Sequence, residues 1–423
     1  MATNRYFIVG VTAAAALLLY IDRVCISILA DPIQLDLELA PREKELALSA
    51  FFFTYALFQI PIGSLADRYG PRAVLTASIV AWSAVTAMTG LAWSFASLLT
   101  FRLLLGLCES GAYPAGAALV KRWAKPEERG RLNAIVLFGG RIGGAFAPAL
   151  TTTVGKSLVA VGIAGTAIGD STANWRDVFL LYGACGLAVA ALFWLFVRDR
   201  PQREANGTQN AGAPPSFSQA LKLIGRNRTT WCFGALQVCL TLPWAFLVTL
   251  LPTYLKDANV EIDLRSTIQT GILLAGCAGM ILGGLLTDAV NKRLGPRWGR
   301  SLPPAILMLL CGSQSLLLSL SPALWVAVAA LAITSLCLDL SLPSLWSYAQ
   351  DVAGKNAGAV FGFGNMCGNL GASLSPLLLG AVSRAAGWEG AFAVCASCYF
   401  VAAIFGLLLD ASKPLDPCIS PRM

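Results

Sequence analysis

Uninterrupted apolar runs of about 20 residues recur along this chain, and in water or lipid such runs leave few choices of fold. The run from Ser97 to Leu119 contains only two charged residues, Arg102 and Glu109. A second, from Tyr6 to Ala30, contains only Asp22 and Arg23. An ionisable side chain at bilayer depth costs about 2.5–3.5 kcal/mol unless it faces a polar interior. Four of them in two runs point to a polar pathway, and so to transport.

Composition supports a membrane setting. The 423 residues are 56% hydrophobic and 13% charged, where soluble domains carry about 25% charged residues. The runs lack the period-2 alternation of a β-barrel, so the expected class is an all-α polytopic membrane protein. Twelve spans are expected at 6–30, 45–65, 73–93, 97–119, 131–154, 176–197, 229–255, 266–289, 301–321, 323–347, 357–383 and 389–410. With the N-terminus inside, most of the 31 Lys and Arg fall in inside loops, among them Lys121, Arg122, Lys125, Arg129 and Arg131. That bias places both termini in the cytoplasm, and it accounts for the basic excess without nucleic acid.

Twelve cysteines are present, none in an expected outside loop, so disulfides are not expected; Cys395 and Cys398 have redox spacing but no soluble context. Asn206-Gly207-Thr208 is a glycosylation sequon in an inside loop, hence expected to be unmodified. The N-terminus has the outline of a signal peptide, but Asp22 and Arg23 break the cleavage region, so it reads as an uncleaved first span. No P-loop or metal-binding cluster is present, and with no histidine in the chain a Ser-His-Asp triad is excluded. An enzyme and a primary ATP pump are therefore not expected, and no cofactor is implied.

The clearest boundary is the polar stretch 198–228, with Gln202-Arg203-Glu204, Gly207, Gly212 and Pro214-Pro215. It separates an N-terminal six-helix bundle (1–197) from a C-terminal six-helix bundle and tail (229–423). Within it, Phe217 to Ile224 has the pattern of a short interfacial helix. The halves repeat one another. Gly63-Ser-Leu-Ala-Asp67-Arg68-Tyr-Gly70-Pro-Arg72 after the second span returns after the eighth as Gly284-Leu-Leu-Thr-Asp288, then Arg293-Leu-Gly295-Pro-Arg297. Gly140-Arg-Ile-Gly-Gly-Ala-Phe-Ala-Pro148 aligns without gaps on Gly368-Asn-Leu-Gly-Ala-Ser-Leu-Ser-Pro376, and Trp175 with Phe179 matches Trp388 with Phe392. Parallel repeats of six spans place a substrate site at mid-depth between the halves.

These motifs resemble the major facilitator superfamily: GSLADRYGPR after span two, its echo after span eight, and RLLLGLCESGAYP in span four. YIDR in span one, WRDVFLLYG at span six, LPTYL in span seven and GNLGASLSP in span eleven resemble its anion:cation symporter branch. That branch includes bacterial galactonate, hexuronate and glucarate transporters and animal vesicular glutamate and sialic acid carriers. The resemblance implies the major facilitator fold and import of an organic anion, a hexonate or hexuronate, by proton symport through alternating access. Alternatives are a tartrate-like or aromatic acid as substrate, Na⁺ as the coupling ion, and a non-transporting membrane sensor or assembly protein on the same fold. The setting implied is a bacterial cytoplasmic membrane, and the chain is expected to be monomeric, with the lipid bilayer and a small anion as its partners.

Helix rise puts Arg23 about 7 Å and Arg102 about 9 Å outward of their span centres, so both can face one cavity. Their guanidinium forks suit carboxylates; alternatively each neutralises a neighbouring acid. Without histidine, proton coupling falls to Asp22 and Glu109. Arg102 lies two turns from Glu109 on one face, so an anion taking Arg102 would release Glu109; the alternative is a static ion pair. Arg141, matched by Asn369 in the other half, should face the cavity and select a second acid group or a hydroxylated tail, or else bond to carbonyls or Asp22. Tyr20, Tyr55, Tyr113, Asn365 and Asn369 complete a pocket suited to a polyhydroxylated acid. Asp339 in span ten is a third buried acid, with either a coupling or a local bonding role. Asp67, Arg68, Arg72, Asp288, Arg293 and Arg297 form a cytoplasmic gate in the resemblance, or merely solvated inside charges. Pro114, Pro148, Pro343 and Pro376 should bend helices.

Overall fold

A computed structural model describes residues 5–160, 175–199, 217–413 and 415. Most of the linker, including the Asn206 sequon, lies outside the described residues. What is described is almost wholly helical: α1 (Arg5–Ile28), α2 (Ala30–Asp36), α3 (Pro41–Tyr69), α4 (Pro71–Thr89), α5 (Phe95–Glu109), α6 (Ala112–Trp123), α7 (Arg129–Ala160), α8 (Trp175–Phe196), α9 (Phe217–Arg226), α10 (Arg228–Thr249), α11 (Leu251–Asp257), α12 (Ile262–Leu318), α13 (Leu324–Val352) and α14 (Ala357–Leu408). Among the described residues, nine stretches are long and apolar enough to cross a membrane. The chain divides into two compact units, one of Met1–Trp123 with Ile135–Pro214, the other of Ala124–Ala134 with Pro215–Met423.

Two of the helices hide a reversal. α12 breaks only at Gly295 (φ 75°) and α14 at Ala386 and Gly387. A Cβ on Gly299 would meet the Asn291 backbone, although eight helical residues span about 12 Å, so the chain doubles back there. The inside loop expected between spans eight and nine is thus nearly all helix. Gly295 is the counterpart of Gly70 (φ 96°). Both take a backbone region open to glycine, and both are followed by the proline that starts a helix.

In the first unit, α7 lies on α1 through glycines. A Cβ on Gly139 or Gly143 would run into the carbonyls of Ala13 or Leu17, so only the missing side chains allow this approach. The fourth span is split at Ser110-Gly111 into α5 and α6. Pro114 has no N–H for the Ser110 carbonyl, which ends the ladder there, as the sequence anticipated for this proline. In the second unit, Gly371 meets the Val238 carbonyl of α10 just as Gly143 meets Leu17.

The repeat also extends beyond what the sequence displayed. α2 and α11 are both short helices ending in aspartate, and each aspartate takes a tryptophan N–H: Trp175 Nε1 donates to Asp36 at 3.2 Å, Trp388 Nε1 to Asp257 at 3.0 Å. The Trp175 and Trp388 match therefore reflects one local construction used twice, each within its own unit. α9 matches the short helix expected at the end of the linker, with Ala220 and Ile224 buried. The eleven described cysteines are free thiols.

Candidate functional site

The charges of the first unit converge at the C-terminal half of α1 and along α5. Arg23 Nη2 donates to Glu109 Oε2 at 3.0 Å, with Glu109 fully buried and the arginine side chain 13% exposed. Three rings surround the same guanidinium, with its carbon 5.3 Å from the Tyr20 centroid, 4.9 Å from Phe51 and 4.4 Å from Tyr55. An aromatic cage stabilises a cation taken out of water by about 0.5–2 kcal/mol per favourable ring. Tyr55 stacks on Phe51 at 5.5 Å, and Tyr20 meets Tyr113 edge-on at 6.4 Å. The break after Glu109 leaves this residue at a helix end rather than within a continuous ladder.

Arg102 is buried, its Nε donates to the Ala47 carbonyl at 3.4 Å, and its Nη1 has no hydrogen-bond partner. Its guanidinium carbon lies 5.0 Å from the Phe51 centroid, so Phe51 touches both arginines and their carbons lie within about 10 Å of each other. The expected Arg102–Glu109 contact is therefore replaced by Arg23–Glu109. Two helical turns span about 10 Å, whereas α1 brings Arg23 directly against the end of α5. Asp22, adjacent in sequence to Arg23, is buried with no hydrogen-bond partner at either oxygen, while Cys25 Sγ donates to its backbone carbonyl. One dipeptide thus presents a paired cation and an unpartnered acid.

Arg141 is half-buried on α7, one residue past Gly140, whose face meets Tyr20. In the second unit, Asn369 Nδ2 donates to the Asn365 carbonyl at 2.8 Å, so these two amides do share a helix face. Asp339 is buried at the packing of α13 on α12, where Gly276 leaves room for its Oδ2.

The residues of the repeated loop motif differ in environment. Asp288 accepts from the backbone N–H groups of Gly130 and Arg131 at 2.9 and 3.1 Å and from Arg131 Nε at 3.1 Å. These are orphan donors of the first turn of α7, so the carboxylate caps that helix and meets its positive end. Gly130 and Gly284 permit the approach; a Cβ on either would meet the backbone of the facing helix. Arg293 and Arg297 are exposed, and the basic partner of Asp288 is Arg131 instead. Arg72 lies over the Trp194 ring at 4.0 Å and its backbone N–H donates to Asp199 at 2.9 Å. Arg68 is exposed, and Asp67 half-buried.

Sequence reasoning missed a buried polar group of the second unit. Fully buried Arg300 donates to Asp351 Oδ2 at 2.9 Å and to the Pro126 carbonyl at 2.6 Å, and Arg129 pairs with the other Asp351 oxygen. Asn133 and Gln350 exchange reciprocal amide hydrogen bonds at 2.9 and 3.0 Å. In the sequence, Arg129 and Arg300 blend into the positive-inside bias; the signal overlooked is Asp351, an acid at the C-terminal end of α13.

Residues 12–376 match the model of the Major Facilitator Superfamily. The chain belongs to the Major Facilitator Superfamily. It is 30% identical to a probable sulfoacetate transporter of Cupriavidus necator, over 98% of this chain and 95% of that one. It is 29% identical to a hexuronate transporter of Bacillus subtilis, covering 89% and 88%, and 28% identical to a probable L-galactonate transporter of Escherichia coli, covering 86% and 80%. Among solved structures, a fucose:proton symporter of Escherichia coli superposes with TM-score 0.73 at 17% identity, covering 95% of this chain and 98% of that one. This superfamily member is thus a transporter and not an enzyme, an integral multi-pass membrane protein with the major facilitator fold.

Proposed function

We propose that the protein imports an organic anion of the sugar-acid class by proton symport through alternating access, in a bacterial cytoplasmic membrane. The observation that carries this reading is the Arg23–Glu109 pair inside an aromatic cage, beside the unpartnered carboxyl of Asp22. A substrate carboxylate competes with Glu109 for the Arg23 fork, and the acid so released is free to exchange a proton. Asp22 is the second group a proton would visit. Substrate binding is assigned to Arg23, Arg102, Arg141, Tyr20 and Tyr55, with the amides of Asn365 and Asn369 for hydroxyl groups. The cytoplasmic gate is assigned to Asp67, Arg68, Arg72, Asp288, Arg293 and Arg297, to which Arg131 is added through its bond to Asp288. Twelve spans, cytoplasmic termini and the boundary at 198–228 belong to the same reading.

The named substrates of the relatives support the anion class, since hexuronate, galactonate and sulfoacetate are all organic acids. Counterflow by reconstituted protein, with a panel of sugar acids, dicarboxylates and aromatic acids at two pH values, tests it. Exchange of one acid class, faster with an inward proton gradient and indifferent to Na⁺, is expected. Exchange that follows Na⁺, or none with any acid, rejects the proposal.

A further inference from the structure

We propose that Arg141 supplies a second cationic anchor, so that the favoured cargo is a short organic dianion with two acid groups rather than a monoanionic hexonate or hexuronate. This rests on the organic-anion reading above and narrows it.

The register of α7 places the residue. Gly139 and Gly143 press on the α1 carbonyls, while Gly140 and Gly144 face the Tyr20 ring, where an added Cβ would come within 2.9 and 3.2 Å. Arg141 lies about 60° around the helix from Gly144 and about 180° from the mean direction of the α1-facing glycine pair, Gly139 and Gly143. It therefore stands on the flank of the Tyr20 face, away from the tight crossing. Tyr20 also carries the Arg23 guanidinium at 5.3 Å, so one ring touches both the Arg23 cation and the α7 glycines on either side of Arg141 in sequence.

The internal repeat shows that the fold does not require a cation there. Gly368 and Gly371 meet Thr241 and Val238 of α10 as Gly140 and Gly143 meet α1, yet the matched residue is Asn369. The same crossing forms around a neutral amide, so the charge of Arg141 is an addition to the first unit alone.

Charge balance gives it a use. The charged residues in the interiors of the spans formed by α1, α5 with α6, and α7 are three arginines, Arg23, Arg102 and Arg141, and two acids, Asp22 and Glu109. With one proton aboard, this set carries two net positive charges. A dianion neutralises them; a monoanion leaves one cation uncompensated in a low-dielectric site. Arg102, with an unpartnered Nη1, remains available to the same ligand.

The test compares wild type with Arg141→Gln and Arg141→Lys in proteoliposomes. The probes are glucarate (two carboxylates), sulfoacetate (carboxylate and sulfonate) and the monoanions gluconate and galacturonate. Wild type is expected to favour at least one dianion over both monoanions by at least tenfold in kcat/KM. Arg141→Gln should reduce that ratio at least tenfold, mainly through the dianion KM, and Arg141→Lys should restore part of it. Preference for glucarate alone assigns a dicarboxylate, and for sulfoacetate alone a sulfonated acid. A wild type that prefers monoanions, or an Arg141→Gln variant that loses both classes in equal proportion, overturns the inference. Should Arg141→Gln not fold, the wild-type ratio and Arg141→Lys decide it. Failure of wild type to move any acid would instead refute the underlying transport reading.

Discussion

Replacing Arg23 by methionine keeps much of the side-chain volume and removes the charge at the centre of the cluster. Two consequences separate. Glu109 is fully buried and its ion-pair partner is Arg23 at 3.0 Å, so the single variant leaves a buried acid without its cation. Breaking such a pair from one side costs about 3–5 kcal/mol, and the protein should melt well below wild type. The double variant Arg23→Met with Glu109→Gln leaves no unpaired charge, and replacing both members of a buried pair is often close to neutral. Stability should therefore return in the double variant. Substrate affinity should not, because truncating one partner of a buried charge pair costs about 2–5 kcal/mol, or roughly 30- to 4,000-fold in Kd. Thermal melting in detergent, with and without a saturating transported acid, reads both quantities in one double-mutant cycle. A double variant that is stabilised by the acid as strongly as wild type would refute the assignment of Arg23 to the ligand. An Arg23→Met protein as stable as wild type would refute the buried pair itself.

Three further outcomes follow from the packing. Gly143→Ala drives a Cβ into the Leu17 carbonyl and should cost about 1–3 kcal/mol, read as a lower melting temperature. Asp288→Ala uncaps α7 and leaves Arg131 with Glu128, at 3.5 Å, as its remaining acid; a loss of about 1–3 kcal/mol and faster maleimide labelling of a cysteine placed at Lys125 are expected. Asp36→Ala should destabilise more than Asp257→Ala, since Asp36 takes Arg176 at 2.7 Å as well as its tryptophan; equal melting temperatures would contradict that ordering.

The fold was legible in the sequence because lipid imposes one rule on every span: helices with apolar exteriors. The motif glycines were legible for the same kind of reason, since Gly70 and Gly295 occupy matching positive-φ turns. Arg23, Arg102 and Glu109 stood out because charge is rare at that depth. Their pairing did not, because helical spacing describes neighbours along one helix and says nothing of which helix end arrives from elsewhere; α1 delivers Arg23 to Glu109, and Phe51 lies against both arginines. The surroundings of the loop-motif residues were only half visible for a similar reason. Asp288 recurs at a matching position, but its partners are backbone N–H groups at the start of α7, and a backbone donor leaves no mark in a sequence. Asp351 and Arg300 sat among ordinary inside charges until burial distinguished them. The Asp36 and Asp257 helices escaped because the repeat is kept in their geometry more than in their residues.

In the proposed mechanism, displacement of Glu109 from Arg23 couples anion uptake to a proton. It is tested most directly with Glu109→Gln protein in liposomes, comparing uptake driven by an inward proton gradient with substrate exchange at equal pH. The coupling account predicts that gradient-driven accumulation is lost while exchange continues. Accumulation with an unchanged dependence on the pH gradient would contradict it.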